Sequence, residues 1–178
     1  MNPTVYKILN YFLSSAGWFA CALGAAHGIP WAGPLVVAGA AGLHLSQVRD
    51  RRAEGLYLGI TVVFGFIVDS VQAARGLITY RGSFVSWLAP LWIVAMWVLF
   101  AIQLNASLRW LRKRLWLAAI LGAWGGPASY FAGERLGAIT INLDPLLAGA
   151  IMAVVWALSV PLLLWVSIRV TGEDPSGN

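Results

Sequence analysis

Residues 56–75, LYLGITVVFGFIVDSVQAAR, are apolar over enough length to cross a bilayer as a helix, yet they contain Asp69 and Gln72. A carboxylate in hydrocarbon costs about 2.5 kcal/mol or more at a helix centre. Such a group therefore turns toward a bundle interior or a wet cavity, not toward lipid. The rest of the chain must supply that interior, which makes Asp69 the first candidate for a functional residue. Asp69 and Gln72 lie three apart and share one helix face. Gly65, one turn earlier, leaves space beside the acid. Arg75, a turn further on, is positioned to pair with it directly or through water.

The remaining runs have the same character. Sixty per cent of the 178 residues are hydrophobic and only 11% are charged, with a mean hydropathy of +0.76. A soluble chain of this composition would expose large apolar patches and aggregate. The chain therefore reads as an all-α integral membrane protein, a bundle of six transmembrane helices. The spans cover about 6–26, 31–47, 56–74, 87–107, 115–132 and 146–170. Gly28 and Pro30 break the first from the second, since Gly and Pro punctuate helices. Residues 1–170 form a single transmembrane domain in this reading, and 171–178 a disordered cytoplasmic tail. Residues 138–142, Ala-Ile-Thr-Ile-Asn, can lie extended along the surface.

Orientation follows from the basic residues. Lys7, the loops 49–52 and 109–114 and Arg169 fall on one side, against Arg75, Arg81 and Arg135 on the other. This asymmetry predicts both termini in the cytoplasm. It also explains the pI near 9.9 without invoking nucleic acid. Of the ten Trp, Trp31 and Trp87 mark the outer interface and Trp110, Trp116 and Trp165 the inner one. Trp18, Trp92, Trp97, Trp124 and Trp156 sit deeper, as core or lipid-facing side chains. Cys21 is the one cysteine, so no intrachain disulfide forms. The residues before it have Trp18 where a lipoprotein signal wants Leu, so the first run is read as a retained span.

The fifth span contains Gly122-Ala123-Trp124-Gly125-Gly126-Pro127-Ala128-Ser129-Tyr130. Pro127 removes a backbone donor and predicts a kink near Gly125 and Gly126. Either the kink opens a pocket opposite Asp69, with Tyr130 and Glu134 at its rim, or the small residues merely allow close helix packing. In the first case Asp69 and Glu134 are candidate acid/base groups. Gln72, Arg75, Tyr130, Ser129, His27 and Trp124 are then candidate substrate contacts. In the second case Glu134 lies in solvent beside Arg135. His44 reads as a hydrogen-bonded packing residue near the inner interface, or as a relay. Two distant His, one Cys and scattered acids make no metal-ligand set, and no Walker loop, dinucleotide fingerprint or nucleophile elbow occurs. No cofactor is implied.

Two stretches carry a family resemblance. One is 90–111, PLWIVAMWVLFAIQLNASLRWL. The other is 126–133, GPASYFAG, followed by Leu136-Gly137-Ala138. Together with Trp18, His44 and Asp69, they resemble an uncharacterised family of small bacterial polytopic inner-membrane proteins, a domain of unknown function. The resemblance spans nearly the whole chain. It implies about six transmembrane helices and residence in the inner membrane of Gram-negative bacteria. Because members of that family are often encoded near enzymes that modify fatty-acyl chains, the resemblance also implies a lipid-related role. The family has no established activity, so it assigns no catalytic residue.

The expected function is a pocket in the outer half of the bilayer that binds, and as an enzyme would modify, a lipid or other amphiphile. Its head would meet Asp69 and Gln72, with Arg75 on a phosphate. The alternatives are a small proton- or cation-coupled transporter and a non-catalytic membrane subunit. Expected partners are membrane lipids and either a second copy or another membrane protein, with no nucleic acid.

Overall fold

The computed structural model describes residues 3–172. Six α-helices run in chain order: α1 (Pro3–Ala26), α2 (Ala32–Gln47), α3 (Arg51–Ala74), α4 (Leu91–Asn105), α5 (Leu115–Arg135) and α6 (Pro145–Thr171). A 3-10 turn at Arg109–Lys113 joins α4 to α5. Two three-residue strands, β1 (Ile78–Tyr80) and β2 (Ile139–Ile141), qualify the all-helical expectation. They pair antiparallel with Ile78 opposite Ile141 and Tyr80 opposite Ile139. The α3–α4 and α5–α6 connections are thereby sewn together.

Local chemistry sets the helix ends. The Asp50 side chain accepts from the backbone N–H groups of Arg52 and Ala53 at 2.9 and 3.0 Å. That cap starts α3 at Arg51, five residues before the expected span, and takes Glu54 out of the supposed loop into the first helical turn. Pro90 sits at the N-cap of α4 and disfavours helix in the residue before it, so 87–90 stay outside the helix. Asp144 caps α6 by accepting from Leu146 and Leu147 N–H, with Pro145 in the first turn. Gly172, at φ +63°, closes α6 in the left-handed conformation. Thr171, expected in a tail, is thus the last helical residue, and 173–178 lie outside the described residues.

Helix α4 is central and packs against α1, α2 and α3. Helix α5 leans almost wholly on α6. A Cβ on Gly122 would strike the Trp156 backbone, and one on Gly126 would enter the Trp156 ring. These glycines are therefore a packing seam, and α5 continues unbroken through Pro127. Between α5 and the α1/α4 pair, few residues meet.

Large apolar side chains cover much of the outside, while several polar groups are buried within the apolar core. Val63, Ile67, Trp124, Val154 and Leu158 are exposed, whereas Asn10, His44, Glu54, Thr61, Asp69, Gln72 and Arg112 are buried. Three helical segments, Ile8–Ala26 within α1, α3 and α6, are long and apolar enough to cross a membrane, and α4 is apolar but shorter. This pattern is that of an integral membrane protein.

Candidate functional site

Asp69 stands on the buried stripe of α3, which reads Glu54, Leu58, Thr61, Gly65, Asp69, Gln72 at steps of four or three. Only 1% of its surface is exposed. Its carboxylate receives hydrogen bonds from four neutral groups on four elements. Tyr80 of β1 donates to Oδ1 at 2.6 Å, Tyr130 of α5 to Oδ1 at 2.5 Å and Gln72 to Oδ1 at 3.3 Å. Trp97 of α4 donates its Nε1–H to Oδ2 at 2.6 Å. Gln72 also donates to the Tyr130 hydroxyl at 3.3 Å. Indole can only donate, so Oδ2 is fixed as an acceptor.

The expected space beside Gly65 is filled. A Cβ there would fall inside the Trp97 indole, so glycine is what lets that ring reach the acid. The strand pair holds the third partner. Trp92 Nε1 donates to Arg81 O at 2.9 Å, and Tyr80 stacks edgewise on Trp92. Burial, and then the Asp69 carboxylate beside it, push the Tyr80 phenol well above its usual value, which keeps it a donor.

A cavity of about 440 Å³ opens beside this cluster, in the gap between α5 and the α1/α4 pair. Asp69 and Tyr130 stand among its walls with Trp97, Phe100 and Trp156. Trp97 and Trp156 are stacked with ring centroids 5.1 Å apart, and Phe100 meets both edgewise. Leu121 and Gly125, exposed on α5, edge the opening. Trp18 of α1 donates to Ser129 Oγ at 3.1 Å across the gap, and both line it. Ser70 accepts from Ala89 N–H at 3.1 Å, a packing role.

Of the eight candidate residues, Asp69, Gln72, Tyr130 and Ser129 come together here. The other four do not. Glu134 Oε1 accepts from Ile141 N–H at 2.8 Å, so it anchors β2 to the end of α5 instead of facing Asp69 or standing free in solvent. Arg75 is exposed at the C-cap of α3 and does not pair with Asp69. His27 is exposed at the α1–α2 turn and bonds Leu23 O through Nδ1. Trp124 is 78% exposed on the outer face of α5. Pro127 lies inside the continuous α5, and the room beside Asp69 comes from α5 standing off α1 and α4.

A second polar cluster lies near the other end of α3. Glu54 Oε1 accepts from His44 Nε2 at 2.7 Å, and both Glu54 oxygens accept from Asn105 Nδ2 at 2.8 and 2.9 Å. Tyr6 bonds His44 Nδ1. Asn105 Oδ1 accepts from Arg112 at 2.8 Å and from Ser167 at 2.5 Å. Helices α1, α2, α3, α4 and α6 and the 3-10 turn all meet there. His44 is thus part of a network more extended than packing alone. Glu54 and Arg112 were hidden in charged loops of the sequence. The signal that finds Glu54 is its phase, four before Leu58 on the stripe that carries Asp69. Nothing local finds Tyr80 or Trp97.

Residues 7–162 match the model of a family described as a protein of unknown function (DUF2878). No curated protein and no solved structure matches the chain.

Proposed function

The chain belongs to the DUF2878 family, and from that premise we propose that it is a multi-pass inner-membrane protein that binds a lipid or other amphiphile in the cavity beside Asp69. All six helices cross in this reading, α2 and α4 as short spans packed within the bundle. Both termini are cytoplasmic, as the basic loops favour. The Asp69 end of the cavity is then in the outer half of the bilayer.

The observation that carries the reading is the combination of an aromatic-walled space of ligand size with one buried acid at its edge. Ligand pockets are mostly apolar, with a few placed polar groups that fix orientation. The gap is bordered by exposed apolar residues of α5, which gives hydrocarbon a lateral way in. Binding is favoured over modification because Glu134 is committed to β2, leaving no second carboxylate at Asp69 among the described residues.

Gly125 supplies the test. It lines the cavity, and a Cβ there meets nothing within 4 Å. Gly125→Phe should therefore block the opening without disturbing the fold. Native mass spectrometry of the detergent-purified protein should find a stoichiometric amphiphile on the wild type that is absent from Gly125→Phe. An empty wild-type protein, or an unchanged load on the variant, refutes the reading.

One observation favours a second reading, a proton- or cation-coupled transporter. The second buried acid, Glu54, shares the α3 stripe with Asp69 at about 1.5 Å per residue, hence about 22 Å away. Cysteine labelling beside Asp69 that switches sides with substrate would support transport over binding.

A further inference from the structure

We propose that the Asp69 end of this cavity takes an ammonium group, so that the amphiphile it binds carries a primary or quaternary amine on its hydrocarbon. The inference rests on the amphiphile-binding reading and adds the chemical class of the head.

Three observations lead to it. First, among the described residues Asp69 is the one acidic or basic side chain of the cavity walls. Its hydrogen bonds come from Tyr80, Tyr130, Gln72 and Trp97, all neutral. The acid is therefore held in place but not balanced by charge. A cation entering the cavity favours the ionised form of this acid and is attracted to it, and low surrounding polarity strengthens the pull. Second, the bonds are unevenly shared. Oδ1 accepts three and Oδ2 one. A carboxylate offers roughly four lone-pair sites, so Oδ2 retains capacity for an N–H. Third, the cavity wall next to Asp69 is aromatic. The Trp97 indole that donates to it is stacked on Trp156 at 8° between planes, with Phe100 at the edge of both. Aromatic rings attract ammonium and quaternary ammonium groups, and with Trp97 packed on Gly65 and Trp156, Phe100 and Trp156 are the rings of these three left to meet one.

A phosphate or sulfate head finds nothing comparable. Arg75, which the sequence offered as its partner, is exposed at the end of α3. Among the described residues the walls contain no Lys or Arg.

The amine has two sources, a zwitterionic phospholipid head or a free alkyl amine. The experiment uses the full chain in maltoside micelles, with single-chain probes at equal length: decylammonium, decyltrimethylammonium and decyl sulfate. Lysophosphatidylethanolamine and lysophosphatidylglycerol form a second pair. Binding is read by native mass spectrometry and by quenching of tryptophan fluorescence. The two ammonium probes should bind one per protein, about tenfold or more tighter than decyl sulfate. Asp69→Asn should erase that preference. Phe100→Leu keeps the carboxylate and removes one ring, so it should weaken ammonium binding several-fold and leave sulfate unchanged. It serves as the test if Asp69→Asn fails to fold.

Ethanolamine favoured over glycerol in the lysolipid pair assigns the head to a phospholipid. Ammonium binding without that preference assigns it to a free amine, and both outcomes support the proposal. Equal or reversed affinity for decyl sulfate, with Gly125→Phe still blocking uptake, overturns the ammonium assignment and leaves the amphiphile pocket standing. No uptake of any probe overturns both.

Discussion

Replacing Gly65 by alanine tests whether the Asp69 site is built as described. The added methyl would lie inside the Trp97 indole, so the ring must move. Overpacking of this kind costs about 1–3 kcal/mol. Moving the ring also breaks the 2.6 Å bond from Nε1 to Asp69 Oδ2, a hydrogen bond to a carboxylate worth about 1.5–3 kcal/mol. Against these stands the backbone gain of about 0.5–1 kcal/mol for alanine over glycine inside a helix. The net expectation is a loss of about 2–5 kcal/mol. Gly125→Ala is the matched control. It also sits within a helix, but its Cβ meets nothing, so it should gain about 0.5–1 kcal/mol. Both variants would be unfolded by titrating SDS into the same mixed micelles, with near-ultraviolet circular dichroism reporting the Trp97–Trp156 stack. Gly65→Ala should unfold well before the wild type and lose part of the aromatic signal. If it matches Gly125→Ala in both measurements, Trp97 is not held between Gly65 and Asp69, and the site geometry is wrong.

Two further outcomes follow from the same bonds. Glu54→Ala leaves His44 and Asn105 buried without their acceptor, so it should cost about 3–5 kcal/mol, and a double-mutant cycle with Asn105→Ala should show coupling of about 0.5–3 kcal/mol. Additive effects in the SDS titration would contradict a shared network. Asp144→Ala removes only the α6 cap and should cost about 1 kcal/mol without altering amphiphile uptake. A change in uptake by native mass spectrometry would mean that the end of α6 reaches the cavity.

Much of the architecture was legible in the chain alone, for local reasons. The helices at 32–47, 115–135 and 145–171 begin and end within a few residues of the apolar runs, because run length, Pro and Gly act on their own backbone. Asp69 stood out because an acid in a long apolar run is expensive wherever the run packs. The same logic missed Glu54. Asp50 four residues earlier is a cap, and reading it as one more loop charge hid the first turn of α3.

The sequence put Gln72 and Tyr130 near Asp69 but not the rest of its shell. Trp97, Tyr80 and Tyr130 lie 28, 11 and 61 positions away in the chain. Periodicity places Trp97 on a helix but not beside a glycine of another. Glu134 and Arg75 looked like natural partners by charge and by turn count. Yet Glu134 was taken by a backbone N–H of β2, a strand that exists only because β1 lies across from it. Arg75 sits at a helix end where water is the better solvent for a cation. The cavity has the same origin. It is the space left when Gly122 and Gly126 draw α5 onto Trp156 of α6 and away from α1 and α4. Local preference chose the helices. Competition among all surfaces for the same neighbours, which only the folded chain resolves, decided which polar groups are paired and where room remains.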